Sequence, residues 1–254
     1  MNFSQSLFKA LPLRPIKKLG RVISSFWPFP VRVKLNTGRE MYVDLRSAVG
    51  RGIFATGQFD KEVFAPLAEV LKPGDTFVDV GANVGYYSMR VLDLLGETGE
   101  IHAFEIDPRP IKCLKRTISR FKLESIHLHV LAVGEAEGSM SFDMRYDCGH
   151  SGLSLEKTGM DVQVRRIDDV INVAEDSRIK AIKIDVEGAE LLVLRGSKEL
   201  LRRERPFLVV ECDDDLQEPF GYDTRDVITF LEKLDYRVSF LPNASSPTIV
   251  AKPV

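Results

Sequence analysis

The sequence predicts a doubly wound α/β fold with a mostly parallel sheet of seven strands, preceded by a basic N-terminal extension and a β-hairpin. Three observations predict it. Strand-like runs alternate with helical ones along most of the 254 residues, as they do when helices cover both faces of a parallel sheet. One strand, Thr76-Phe-Val-Asp79-Val80, breaks into the glycine turn Gly81-Ala82-Asn83-Val84-Gly85 and then into a helical stretch ended by Gly96. That unit cradles a nucleotide-like ligand, because the free N–H groups of the first helical turn face it. The last two strand-like runs, Tyr236–Leu241 and Thr248–Ala251, are close enough to pair antiparallel.

The remaining elements follow in order. Val31–Leu35 and Met41–Leu45 alternate with period two around Asn36-Thr-Gly-Arg39, a hairpin signal. Residues 1–50 are therefore read as extension and hairpin, and 51–254 as the main domain. Asp60 is expected to cap a helix from Lys61 to Leu71, stopped by Lys72-Pro-Gly-Asp75. After the glycine unit come a strand, Glu100–Asp107, a helix from Pro108 to about Phe121, and a third strand, Ile126–Val133. Residues 135–165 are less regular, with strand-like Ser139–Asp143 and Asp161–Arg165. Ala181–Val186 and Pro206–Glu211 are the next strands, with helices over Gly188–Arg195 and near Thr224–Leu234.

Composition narrows the class. Hydrophobic residues make up 44% and charged residues 28%, ordinary for a globular protein. No apolar run approaches the ~18 residues of a membrane helix. Cys113, Cys148 and Cys212 form an odd count without metal-ligand spacing, which points to reduced thiols and a cytoplasmic setting. The net charge of −2 conceals an asymmetry: residues 1–39 carry eight of the 35 basic residues and no acid, leaving 27 basic against 37 acidic elsewhere. With Phe3, Leu7, Phe8, Leu11 and Leu13 in that arm, one reading is a peripheral contact with anionic lipid at the inner membrane or with an acidic carrier. The other is an extension packed on the domain, its charges solvated. Nucleic acid is not expected, since basic and aromatic residues are not interleaved.

Asn83 stands where a dinucleotide fingerprint needs glycine, and Asp79 puts a negative charge two residues before the loop. A pyrophosphate would be repelled by that charge, whereas a ligand bearing ammonium and sulfonium would be attracted. Strand-Asp79-x-Gly81-x-Asn83-x-Gly85-helix thus resembles the first motif of a class I, Rossmann-like S-adenosylmethionine-dependent methyltransferase. Glu105 ends the second strand about twenty residues beyond the loop, where doubly wound folds place an acid against ribose hydroxyls. The competing reading is a charge at the N-terminus of the following helix, which Asp107 shares. Ala82, Tyr86, Ile106 and Ala132 complete the candidate cofactor contacts. The adenine partner is less legible, with Glu135 one candidate.

In Ile182-Lys-Ile-Asp-Val-Glu-Gly-Ala-Glu190, period two puts Lys183, Asp185 and Glu187 on one strand face. Polar groups there suggest the strand's exit into a cleft, with Glu211 nearby at the end of the fifth strand. Together with Ala103–Pro108, Arg166-Ile-Asp-Asp169 and Pro206–Glu211, this segment resembles the FkbM family of methyltransferases over roughly residues 50–215. The resemblance implies methyl transfer to a hydroxyl oxygen of a sugar, polysaccharide or polyketide-like acceptor, with S-adenosylmethionine as donor. Where relatives carry Glu in a Gly-x-Tyr-Glu segment, this chain has Gly57-Gln-Phe-Asp60, which leaves the role of Asp60 open.

An alcohol acceptor needs a base to take its proton. Asp185 is the first candidate, then Glu187 and His150, the last on a polar loop. A divalent cation held by Asp185, Glu187 and Glu211 is the competing route, but acids alone are a weak metal signature and no metal is assigned. His127 and His129 share a strand face and are read as packing residues. The alternatives are a nicotinamide dinucleotide oxidoreductase, opposed by Asn83 and Asp79, and a ligand-binding protein without catalysis, which would not need the acids at Asp185 and Glu187.

Overall fold

The computed structural model describes residues 29–144, 151–155, 159–171 and 178–254. The basic arm up to residue 28 and His150 lie outside the described residues. The expected hairpin forms from β1 (Val31–Lys34) and β2 (Glu40–Val43), paired antiparallel. Helix α1 (Ala48–Thr56) follows, with the Ser47 side chain accepting from Gly50 N at 2.8 Å, and then α2 (Lys61–Val70). The glycine unit is β3 (Thr76–Val80) and α3 (Tyr86–Leu95). Next come β4 (Glu100–Phe104), α4 (Pro108–Phe121), β5 (Ile126–His129) and β6 (Ala132–Val133). β7 (Gly138–Asp143), β8 (Gly152–Ser154), β9 (Met160–Arg165) and α5 (Ile167–Val170) occupy the irregular stretch. The chain ends with β10 (Ile179–Ile184), α6 (Glu190–Arg195), α7 (Lys198–Glu204), β11 (Phe207–Glu211), α8 (Asp214–Gln217), α9 (Thr224–Glu232), β12 (Tyr236–Phe240) and β13 (Thr248–Pro253).

Among the described residues a seven-stranded sheet runs β12–β13–β11–β10–β3–β4–β5. β3, β4, β5, β10 and β11 pair in parallel, and β13 is antiparallel to both its neighbours. The closing pair is antiparallel as expected, and the antiparallel strand β13 sits one place in from the edge. The short turn after β12 lets β13 fold back between β12 and β11, which pairs both of its edges. The strand order reverses between β10 and β3, the switch point at which open α/β sheets bind ligands.

Alternation along the strands divides the core. Phe77, Ile101, Ala181, Phe207 and Val209 turn to one face, where Met41 and Val43 of the hairpin, Leu67 of α2, Leu95 of α3 and Leu114 of α4 cover them. Val78, Val80, Ile182, Ile184, Leu208 and Val210 turn to the other face, under Leu191, Leu200 and Leu231. Burying each such side chain contributes about 1.5–3 kcal/mol.

Three expectations need correction. The strand expected over Ile126–Val133 is two strands, since the chain leaves the main sheet after His129 and enters a second sheet ordered β6–β9–β7–β8. A continuous period-two pattern does not mark a change of sheet. Asp60 makes no capping hydrogen bond to α2; its backbone is left-handed at φ 35° and its side chain accepts from Ser245 Oγ at 2.8 Å. The helix expected from Gly188 begins at Glu190, because Gly188 takes φ 106°. No helix among the described residues is long and apolar enough to cross a membrane.

His102 of β4 and His127 and His129 of β5 stack on one another, with His102 Nδ1 and His129 Nε2 3.0 Å apart. Burial, then His129 and His127, lower His102 from its ordinary 6.5 to about 4. The unfolded chain therefore binds this proton more readily between those values, so stability is complete above pH 6.5 and falls as the pH drops toward 4. With the cluster half-exposed, the loss is on the order of 1–2 kcal/mol. The urea midpoint of the parent chain relative to that of His102→Gln should fall as the pH drops from 6.5 toward 4. A difference between the two that is the same at both pH values would refute the assignment.

Candidate active site

The glycine turn joins three strands at their carboxyl ends. Gly81 N and Ala82 N both donate to the Phe104 carbonyl, at 3.0 and 2.9 Å, which ties the exit of β3 to the end of β4. Gly81, Asn83 and Gly85 all have left-handed backbones, at φ 77°, 51° and 82°. Asn83 thus meets the conformational demand that glycine meets elsewhere, as asparagine tolerates this region better than most residues. A Cβ at Gly81 would overlap the Asp185 carbonyl beyond β10, so only glycine lets the two strand ends approach.

Asp79 lies beneath the turn, fully buried. Its Oδ2 accepts from Ser88 N at 3.1 Å and Ser88 Oγ at 2.6 Å, while Oδ1 has no hydrogen-bond partner. Burial raises its pKa, opposed by the nearby Lys183 ammonium. The negative charge read from the sequence is thus answered partly from within the protein.

Glu105 follows β4. Its carboxylate accepts from Asn83 N (2.7 Å), Ile106 N (2.7 Å) and Asp107 N (2.8 Å). Burial raises it to about 7, opposed by those same N–H groups. It therefore links the glycine turn to the second strand and keeps acceptor capacity for ligand hydroxyls. Asp107 serves as the cap of α4, accepting from Arg109 N at 2.9 Å.

A cavity of about 310 Å3 opens at the switch point. Gly81, Asn83, Glu105, Ile106 and Ala132 line it, and so do Asp185 and Glu187. Asp79, Ala82, Gly85 and Tyr86 lie behind the lining, and Tyr87 rather than Tyr86 reaches the cavity wall. Glu135 is not in the wall but pairs with Arg195 at 3.1 Å; beside Ile106, the wall there is Leu131, Ala132 and Val133. The chain fits S-adenosylmethionine: space above Gly81, an orphaned acid oxygen beneath the turn, a carboxylate at the ribose position, and apolar walls for the base.

The other end of the cavity is acidic. Lys183 lies within β10 and is 4% exposed, with its Nζ 2.9 Å from Asp185 Oδ2 and 4.7 Å from the centre of the Tyr87 ring. Burial alone would lower its pKa, but Asp185 and Asp79 hold it above the ordinary value. β10 ends at Ile184 and Glu187 turns left-handed at φ 57°. Lys183, Asp185 and Glu187 therefore do not share a strand face as expected: the first is buried in the sheet, and the other two sit on the turn beyond it. Glu190 holds that turn, accepting from Gly188 N at 2.9 Å and Gln217 Nε2 at 3.0 Å.

Four groups in this wall were missed or left open by sequence reasoning. Tyr87, Ser245 and Ser246 carry no motif, and Asp60 was expected only to cap α2. Asp60 Oδ1 is buried without a hydrogen-bond partner, and burial raises its pKa. Glu211, at the end of β11 beside Asp185, is pushed to about 8 by burial and then by the Asp185 charge. Among the described residues no group of three or more His, Cys, Asp or Glu side chains is arranged to hold a metal ion.

The Glu105 carboxylate accepts ribose hydroxyls best when ionised. Affinity for S-adenosylhomocysteine should therefore strengthen as the pH rises through about 7. Glu105→Gln should weaken it roughly ten- to hundredfold, the worth of hydrogen bonds to a charged group, and remove the pH dependence. Calorimetry between pH 6 and pH 8 measures both; equal affinity in the variant would sink the assignment.

Comparison with known proteins agrees with this geometry. A family model described as the methyltransferase FkbM domain matches residues 79–238, more than half of the chain. The hexuronic acid methyltransferase AglP of Haloferax volcanii is 25% identical over 175 residues, which is 68% of each chain. The 2-O-methyltransferase NoeI of Sinorhizobium fredii is 26% identical over 166 residues, 58% of this chain and 67% of its own. The solved methyltransferase FkbM of Methylobacillus flagellatus superposes with a TM-score of 0.53 at 18% identity over 79% of this chain, a likeness of fold. The match spans about half (52%) of that structure's length. The chain belongs to the FkbM family of methyltransferases.

Proposed function

We propose that this methyltransferase carries a methyl group from S-adenosylmethionine to a hydroxyl oxygen of a sugar, with Asp185 as general base. The observation that carries this reading is the placement of Asp185 in the same cavity as Glu105 and the glycine turn. A donor-binding half and a proton-accepting half thus adjoin across the β10–β3 switch point. The names of two relatives support a sugar acceptor, one through hexuronic acid and the other through 2-O-methylation.

When bound, S-adenosylmethionine supplies a methyl carbon already activated by its sulfonium, so the new C–O bond forms as the S–C bond breaks. The chain's own contribution is alignment and proton removal. Gly81, Asn83 and Glu105 hold the donor at one side of the cavity. Lys183 binds Asp185 Oδ2 at 2.9 Å and fixes the carboxylate at the sheet edge, where the acceptor's hydroxyl proton passes to it. Glu211 holds its own proton up to about pH 8 and so does not compete for that of the acceptor. Tyr87, Val209 and Leu216 contribute less polar wall around the reacting atoms.

Asp185→Asn should lower kcat by about 10²- to 10⁴-fold, the usual contribution of a general base. S-adenosylhomocysteine affinity should stay within about threefold, because Asn still accepts from Lys183. Single-turnover transfer of labelled methyl, alongside calorimetry, separates the two effects. Undiminished transfer would refute Asp185 as the base.

A further inference from the structure

The charge of the cavity bears on which sugar it accepts. Six carboxyl groups line it: Asp60, Glu105, Asp185, Glu187, Glu211 and Asp213. Lys183 is the one cationic side chain among the described lining residues, and it is committed to Asp185 at 2.9 Å and to the Tyr87 ring. Arg109 reaches the rim through Ser151 Oγ at 2.8 Å, but its guanidinium is already paired with Asp107.

An incoming carboxylate would have to lose its water beside these acids with no uncommitted cation among the described residues to receive it. Burying an unpaired charge is among the most unfavourable events in a protein site. Apart from Glu211, which holds a proton, the wall instead offers acceptors in search of donors. Asp60 Oδ1 is buried with no hydrogen-bond partner, and Asp60 is positioned by Ser245 across from α2. A hydroxyl or an ammonium satisfies such an oxygen, whereas another carboxylate does not. The crowding is also visible in the acids themselves, since burial and then Asp185 make Glu211 hold its proton to about pH 8.

We infer that the acceptor is a neutral or amino-bearing sugar rather than a sugar acid, selected by a cavity wall of carboxyl groups whose described residues include no uncommitted cation. This rests on the methyl transfer to a sugar hydroxyl proposed above. It adds what that reading leaves open, the charge of the ring that enters.

The test offers the full-length protein and S-adenosylmethionine matched sets of p-nitrophenyl glycosides. Each set holds the neutral hexoside, its 6-carboxylate and its 2-amino analogue, in the gluco, galacto and manno series, with product mass as the readout. In every series that accepts methyl, kcat/KM for the neutral or amino member should exceed that for the uronide at least tenfold. A uronide methylated as well as its neutral partner overturns the inference and leaves the sugar reading standing. Transfer to no member, by protein that binds S-adenosylhomocysteine, overturns the sugar reading and the inference together.

Asp213 tests the electrostatic cause. Its Oδ1 accepts from Asp215 N at 3.0 Å to cap α8, a bond that Asp213→Asn retains. Removing its charge should narrow the discrimination against the uronide roughly two- to threefold, the size of a single-charge effect across water. Asp213→Lys should narrow it further. A ratio unmoved in both variants would overturn the inference.

Discussion

A buried ammonium lies at the centre of this molecule. Lys183 occupies the middle of the sheet, where an unpaired charge would be prohibitively unfavourable, and register supplies its partners. Parallel pairing sets Lys183 opposite Asp79 on the neighbouring strand, and Asp185 follows two residues along its own chain, with Nζ to Oδ2 at 2.9 Å. The Tyr87 ring closes the remaining side. One cation thus joins the acid under the glycine turn to the acid at the cavity wall. A shift of either strand would part Lys183 from Asp79 and leave that carboxylate buried without its cation, so the two halves of the site are held in register by the same interaction.

The turn after β10 shows how the fold keeps an acidic wall in place. Glu187 and Gly188 have left-handed backbones, which carries the chain away from the sheet immediately after Asp185. Glu190 receives N–H groups from that turn and an amide from Gln217, while the Tyr222 hydroxyl donates to the Gly188 carbonyl. None of these groups lines the cavity. Their work is to hold a strained loop so that Asp185 stays beside Glu211 despite their mutual repulsion. Burial, and then the Asp185 charge, leaves Glu211 holding its proton to about pH 8.

Much of this was legible because it depends on local chemistry. The glycine turn is recognisable since Gly81, Asn83 and Gly85 are residues that tolerate positive φ, and Glu105 is recognisable from its distance beyond that turn. The Lys183-Ile-Asp185 segment announces itself because charges are rare in an apolar strand. Tyr87 and Ser245 did not stand out, and Asp60 was read only as a cap. Asp60 meets Ser245 from 185 positions away, and a pairing across such a separation leaves no period in the chain. The direction of Asp79 was also hidden, since only the packed helix shows that Ser88 takes its Oδ2.

The amino-acid sequence by itself determined the order of strands and helices, the position of the donor-binding turn and the presence of acids at strand ends. These follow from side-chain periodicity and from backbone preferences that act over a few residues. Only the tertiary structure decided which acids face the cavity, that the antiparallel strand lies inside the sheet edge, and that Lys183 is wholly committed within the protein. Those outcomes depend on burial and on the meeting of distant segments, where the energy of a charge is set by the neighbours that packing brings to it.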